Sequence, residues 1–476
     1  MSTQTSQSTD LELVHRFATG EGPNARTTLL LLHGTGGDEN DMIPLGESLL
    51  PGAAVLILEG GRVAYVRGYG FRDKERRLPV TTKTAFEIGS ITKQFTAAAI
   101  LQLQAAGRLD LDRPLSDYLP DAPHAREVTL RQLLSHTSGL HDYLDLPEDR
   151  IDELVQRPIT YKELIARVAP LPLDFKPGSR WSYSNTGYLL LGRVIEIVSG
   201  ESYRDYLQRH FFGPLHLTST HTIGDEPRLA NMAKGYRHAH GALERGPTMD
   251  VSWAGAAGFL VTTLADLARW DVALESGRVI PPNAYREMAT EATTKENGGT
   301  GYGLGLFVGE AFGQPRIGHT GASLSFTAAD ENFPRQRTRI IALTNLGDEE
   351  PEAGEVLTNV AFGALYPPIV AAAERPSPGE DPEVRRSALA AFEELQTGKS
   401  YRAFGDKLQT KLTGDLGERL ASRLGPYGSP TASIFRGERE SDGQSWFDYT
   451  IKFGPGVYLP LSVRLDGGKV AGFSVG

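Results

Sequence analysis

Ser90 and Lys93, in the run Gly89-Ser90-Ile91-Thr92-Lys93, are the pair whose types and spacing best suit nucleophilic chemistry. A seryl hydroxyl is a weak nucleophile until a neighbouring base takes its proton. Residues three apart share a helical face. Phe95, Ala98, Ala99, Ile100 and Leu103 follow and predict a strongly apolar helix, so Lys93 is expected to reach back to the Ser90 hydroxyl. Desolvation at the mouth of a buried helix lowers a lysine pKa towards that of a useful base. The same helix start offers unpaired amide groups and a partial positive charge to a developing oxyanion. Against this stands a plainer reading: serine is a common N-cap, and a serine–lysine spacing of three recurs by chance.

Two further segments change the balance. Tyr183-Ser184-Asn185 follows the turn Lys176–Ser182 and precedes an apolar helical pattern, Tyr188–Val198. His319-Thr320-Gly321 follows Arg316-Ile317-Gly318 in a segment suited to an edge strand. Taken singly, Tyr183 reads as a buried aromatic, Asn185 as a helix N-cap and His319 as an edge-strand histidine. Taken in order behind Ser90 and Lys93, they resemble the S-x-x-K, Y-x-N and K/H-T-G elements of the serine β-lactamase and penicillin-binding protein superfamily, within it the class C β-lactamase-like esterases. Phe86–Ala97, Leu133–Leu140, Trp181–Asn185 and Gly301-Tyr302-Gly303-Leu304-Gly305 carry the resemblance further along the chain.

The resemblance implies that Ser90 attacks an ester or amide carbonyl and forms an acyl-enzyme, which water then hydrolyses. Lys93 and Tyr183 would share general-base and general-acid duty. A phenol near cationic groups can have a lowered pKa, which makes Tyr183 a candidate base. Asn185 would hydrogen-bond Lys93 and the acyl side of the substrate. The amide groups of Ser90 and of Ala322, after His319-Thr320-Gly321, would form the oxyanion hole. Trp181 and Trp253 are candidates for the wall of the acyl pocket, with core packing equally open to both.

His319 stands where β-lactamases usually carry lysine. An unperturbed histidine is mostly neutral at pH 7; it can donate a hydrogen bond to substrate but selects less for an anion than a fixed cation does. This favours a carboxylesterase of the β-lactamase-like type acting on small acyl esters. A D-amino-acid amidase, DD-peptidase or weak β-lactamase with the same residues remains open, as does a catalytically inactive binding or scaffold protein on this fold. Neither cofactor nor metal is required by such chemistry, and His238-Ala239-His240 reads as a solvated loop. His136 and His141, flanking Ser138-Gly139-Leu140, are open to lining the cleft, with a turn-stabilising role the better reading.

The elements that must position these residues form three zones. At about 150 residues per domain, the length suggests two or three domains. Residues 1–50 hold an apolar strand-like run, Thr27–Leu32, the turn His33-Gly34-Thr35-Gly36-Gly37 and a helical pattern over Asp41–Leu50. The turn resembles the oxyanion loop of α/β-hydrolase carboxylesterases, whose nucleophile sits on a G-x-S-x-G elbow; no such elbow accompanies it, and the segment reads as a fragment without its own active site. Residues 51–368 open with two strands, Ala53–Glu59 and Arg62–Tyr69, around a tight turn, and continue with helical patterns at Ser90–Ala106 and Thr186–Ser199 and a strand pattern at Arg339–Leu346. The expected fold is α+β: a β-lactamase/DD-peptidase-like antiparallel sheet flanked by helices, with an all-helical subdomain. Residues 369–382 read as a linker, with three prolines in Glu374–Pro382. Residues 383–476 run from helical patterns into four alternating segments, a small α+β domain resembling NTF2-like and cystatin-like folds.

Composition fits this picture. The chain is 40% hydrophobic and 23% charged, has no cysteine, and carries a net charge of −10. It can bury a large core, uses neither disulfides nor thiolates, and its acidic balance argues against a non-specific nucleic-acid binder. The polar start has no signal-peptide pattern and no apolar run has membrane-spanning length. The expectation is a cytoplasmic protein with a small-molecule substrate, no membrane or nucleic-acid partner, and homo-oligomerisation left open.

Overall fold

The computed structural model describes residues 51–145, 154–223, 231–239, 242–294, 298–299, 301–347, 352–441 and 443–475. The expectations for residues 1–50 lie outside these. The chain divides into two compact units, one of Leu50–Thr358 and one including Asn359–Gly476.

The first unit is built on a seven-stranded antiparallel sheet. Its strands are β1 (Gly52–Glu59), β2 (Arg62–Asp73), β3 (Leu78–Pro79), β4 (Phe307–Ala311), β5 (Gln314–Ser323), β6 (Phe326–Phe333) and β7 (Thr338–Thr344), in the order β4-β5-β6-β7-β1-β2-β3. β1 is a continuous apolar run because it is central, pairing with both β2 and β7, and it is buried along nearly its whole length. β5 pairs with β6 in the register His319↔Asp330 and Ala322↔Thr327.

Between β3 and β4 the chain runs through α1 (Thr92–Ala105), α2 (Asn185–Ser199), α3 (Val251–Gly258) and α4 (Leu264–Glu275), with shorter helices among them. α1 is buried from Thr92 to Leu101. A helix buried on all sides belongs inside a core, and its Ala97-Ala98-Ala99 run lets neighbours approach closely. Phe95 stacks on Trp270 with ring centroids 3.8 Å apart, and the Thr96 hydroxyl donates to the Ala256 carbonyl at 2.7 Å. Phe86–Glu87, Leu260–Thr262 and His221–Thr222 form a three-stranded ribbon that ties the entry to Ser90 to the exit from α3. Tyr236–Ala239, holding His238, is likewise a strand, not a loop.

The second unit contains α5 residues after the division, which falls inside α5 (Ala353–Leu365), then α6 (Pro382–Thr397), α7 (Asp406–Leu412) and α8 (Asp415–Leu424). They precede a meander of β8 (Ala432–Ser441), β9 (Gln444–Gly454), β10 (Val457–Asp466) and β11 (Lys469–Val475). β10 buries every second residue, Val457, Leu459, Leu461 and Val463, and the last three join one cluster with Ala388, Phe392 and Leu395. The stretch read as a linker is structured. Pro367–Ala373 is a helix, and the Glu374 carboxylate accepts from Tyr458 Oη and pairs with Lys452, each at 2.5 Å. Pro382, one of the three prolines in that stretch, occupies the first turn of a helix, where a missing N–H costs nothing. The pentapeptide Gly472–Gly476 does have G-x-S-x-G spacing, but Ser474 lies within the extended strand β11 rather than on a strand-to-helix elbow. Among the described residues no single helix is long and apolar enough to cross a membrane.

Candidate active site

Ser90 sits in a single 3₁₀ turn, Gly89–Ile91, and Lys93 in the first turn of α1. The sequence places Ser90 at the start of the helix itself; the tighter turn serves the pair better, because side chains three apart eclipse there. Lys93 Nζ lies 3.0 Å from Ser90 Oγ, 2.8 Å from Asn185 Oδ1 and 2.9 Å from the Ala257 carbonyl oxygen. Lys93 is 0% exposed. Burial brings its pKa down to about 7, with the Asp142 carboxylate opposing the drop. Near neutrality much of it is therefore an uncharged amine. Asn185 Oδ1 and Ala257 O accept only, so they take the two hydrogens of that amine. Its lone pair is left for the third direction, towards the Ser90 hydroxyl.

Tyr183, in the loop leading into α2, has its hydroxyl beside the Ser90 side chain, which works against the rise in its pKa. Lys93 Nζ stands 4.7 Å from the centre of its ring. The lowered phenol pKa anticipated from nearby cations is not what this environment produces. Burial dominates and holds the Tyr183 hydroxyl well above its ordinary value, so it stays protonated. His136 is packed against Tyr183 with ring centroids 4.2 Å apart, and it accepts the Ser182 and Ser184 amides through its carbonyl oxygen and Nδ1. Burial and the neighbouring Lys93 keep its imidazole neutral.

Asn185 is the first residue of α2 and its side chain does not cap the helix. Its amide points instead between Lys93 and Asp142, with Nδ2 donating to Asp142 Oδ2 at 2.8 Å.

β5 closes the site from the sheet side. A Cβ on Gly321 would stand 2.0 Å from the Ile88 carbonyl oxygen and 3.0 Å from the Ser90 nitrogen. One on Gly89, which has φ +46°, would stand 2.5 Å from the Ala322 oxygen and 2.8 Å from its nitrogen. Only two facing glycines let strand and turn come this close, and the contact brings the Ser90 and Ala322 amides together. Thr320 is half-buried and Ala322 exposed beside this contact.

His319 departs from its expected role as a donor to substrate. It is buried, and both ring nitrogens are engaged, Nε2 with Tyr302 Oη at 2.8 Å and Nδ1 with the Thr320 carbonyl. Burial and Lys93 lower its pKa to about 3, so it is neutral. Trp181 lies at the site, its ring centroid 6.2 Å from those of His136 and Tyr302. Trp253 does not form a pocket wall: it is 1% exposed, clustered with Tyr143, Val155 and Leu164, with its indole N–H on the Arg157 carbonyl. His141 pairs with Asp174 at 3.0 Å.

Sequence reasoning missed Asp142, Ala257 and Tyr302. Tyr302 lies in the Gly-Tyr-Gly-Leu-Gly run and Asp142 two residues beyond Leu133–Leu140, so proximity to those motifs was the available signal. Ala257 contributes only a backbone carbonyl, for which side-chain patterns carry no signal.

The arrangement can generate a seryl alkoxide, hold a protonated phenol beside it and offer two backbone donors to an oxyanion. The described site residues supply a base, an acid and donors without calling on a metal or cofactor.

Known proteins resemble this chain in sequence and fold. The flp protein of Staphylococcus aureus strain MRSA252 is 28% identical over 317 residues, covering 63% of this chain. The chain spans 60% of that relative's length. A D-stereospecific amidohydrolase from Streptomyces sp. superposes with a TM-score of 0.55 at 31% identity, over 63% of this chain and 92% of that one. The octameric penicillin-binding protein homologue from Pyrococcus abyssi does so with a TM-score of 0.59 at 25% identity, over 90% of this chain and 95% of that one. The family model described as Beta-lactamase matches residues 43–365, more than half of the sequence, and the chain belongs to that family of serine hydrolases.

Proposed function

We propose that this hydrolase cleaves small, uncharged acyl esters through an acyl-enzyme on Ser90. Neutral Lys93 takes the Ser90 proton as Oγ adds to the ester carbonyl carbon. The carbonyl oxygen becomes an oxyanion held by the Ser90 and Ala322 amides. As the tetrahedral species collapses, Tyr183 gives its proton to the departing alkoxide, and the Lys93 ammonium passes on to Tyr183 the proton it took from Ser90. Water then adds to the acyl carbon, its proton passing to the same pair, and the C–Oγ bond breaks to release the acid and regenerate Ser90.

The observation that carries this reading is the Lys93 amine, held by two carbonyl acceptors with its remaining direction on Ser90 Oγ. The preference for an uncharged acyl group rests on His319, which is neutral and offers no fixed cation to a substrate carboxylate. A second reading, hydrolysis of D-amino-acid amides, is favoured by the likeness to the Streptomyces D-stereospecific amidohydrolase. A homo-oligomer is supported by the octameric neighbour, whose likeness extends over 90% of this chain; light scattering on the full chain tests it.

Short p-nitrophenyl esters and D-amino-acid amides are to be compared, with intact mass measured during turnover. Wild type is expected to show ester hydrolysis and an acyl adduct, and Ser90→Ala to lose both. Wild-type turnover in Ser90→Ala rejects the nucleophile; faster amide than ester turnover rejects the substrate class.

A further inference from the structure

We propose that Asp142 is a positioning residue for this chemistry: its carboxylate fixes the orientation of the Asn185 amide and, through it, the placement of the Lys93 amine on Ser90. The proposal rests on Ser90 being the nucleophile and Lys93 its base. Both the Asn185 backbone N–H and its Nδ2 donate to Asp142 Oδ2, at 3.0 and 2.8 Å, while Oδ1 accepts from the Leu144 amide at 3.0 Å. A primary amide has a donor end and an acceptor end, and nothing in its shape distinguishes them. An ionised carboxylate accepts only, so it holds the NH₂ end and turns the carbonyl end to Lys93. Reversed, Asn185 would present N–H groups to Lys93 and take away one of the two acceptors that hold the amine. The hydrogen bonds thus run without a break from Asp142 through Asn185 and Lys93 to Ser90.

Anchoring the start of α2 needs only one acceptor for the Asn185 backbone amide, which a neutral side chain can supply. What a neutral side chain cannot supply is the charge. Asp142 is 7% exposed. The groups facing Lys93 are His136 from the loop after Leu134, Tyr183 and Tyr188 from the entry and first turn of α2, His319 from β5, and Asp142. Both histidines and both phenols are held neutral by burial. Burial raises the Asp142 carboxyl above its ordinary pKa as well, opposed by the Asn185 and Leu144 amides and by Lys93; ionised, Asp142 is the group that raises Lys93 against the burial that depresses it.

The test uses Asp142→Asn, close to isosteric, and Asp142→Ala in the full-length protein, with p-nitrophenyl acetate and a rate profile from pH 5 to 9. For Asp142→Asn we expect kcat to fall about tenfold to hundredfold, as when the outer partner of a metal ligand is lost. KM should stay within about twofold, and the acid limb of kcat/KM should move to lower pH as Lys93 loses its counter-charge. Wild-type kcat and an unmoved acid limb in folded Asp142→Asn overturn the proposal. So does equal loss in both variants with the limb unmoved, since that is what simple helix anchoring predicts. Asp142→Asn decides if Asp142→Ala does not fold. A wild-type acyl adduct mapped to Ser90 separates these outcomes from failure of the underlying reading; if the adduct maps elsewhere, both fall.

Discussion

Gly321→Ala tests the oxyanion donors without touching a reacting side chain. Gly321 does not have a positive φ, so alanine meets no backbone penalty there. The contact is another matter. The added carbon would lie 2.0 Å from the Ile88 oxygen, where ordinary contact begins near 3.4 Å, so strand and turn must part by more than an ångström. That movement is comparable to the whole tolerance of a hydrogen bond. It separates Ala322, one residue along β5, from the turn that carries the Ser90 amide. Losing one oxyanion donor typically costs about 10²–10³ in kcat, roughly 2.7–4 kcal/mol. Overpacking should also lower stability by about 1–3 kcal/mol. The assay is pre-steady-state acylation by p-nitrophenyl acetate, run well below the melting temperature of the variant. The expected result is slow acylation with KM little changed. A folded Gly321→Ala protein that acylates within about threefold of wild type would refute the assignment of these amides.

Lys93 has two consequences for pH. The amine must be neutral to act, so kcat/KM is expected to rise through pH about 7. Its ordinary pKa of 10.5 applies to the unfolded chain. Between that value and about 7 the unfolded chain therefore holds a proton the folded one lacks, and this group's contribution to stability rises with pH across the window. Denaturant melts at pH 7 and 10, compared with Lys93→Met, check the sign; a wild-type gain no larger than the variant's contradicts it. Arg339, whose guanidinium faces Asp330 and Asp271 in the interior and reaches Glu275, is the cation of a buried cluster. Arg339→Met is expected to cost about 3–5 kcal/mol in a urea melt at pH 7 and less at acid pH, where the stranded carboxyls protonate.

What could be read from the sequence follows the range of the forces involved. Ser90 and Lys93 are legible because their proximity is local, set by one turn of backbone. Tyr183 and Asn185 depend on motif order, and the fold brings both to Lys93. The β10 alternation is legible because one face of a sheet imposes a period of two. The misreadings share another cause. Burial is a tertiary quantity, and the sequence estimate for Tyr183 counted neighbouring charge without it. His319 was judged as a free ring, while in the fold both nitrogens are already engaged. Pro382 reads as a break because proline composition does not say whether the chain beyond it continues into a helix.

The opposite shifts of Lys93 and Tyr183 have one origin. Removing water disfavours the charged form of each, which is the ammonium of one and the phenolate of the other. The same burial therefore leaves more of the lysine as free amine and keeps the phenol protonated. Two groups whose pKa values are driven apart in this way divide the proton transfers between them. Asp142 works against the same burial: desolvation lowers Lys93 and the carboxylate opposes the drop, so the amine is not depressed as far as burial alone would take it. A single carboxylate behind Asn185 does this while staying out of reach of Ser90 itself, since Asn185 lies between them.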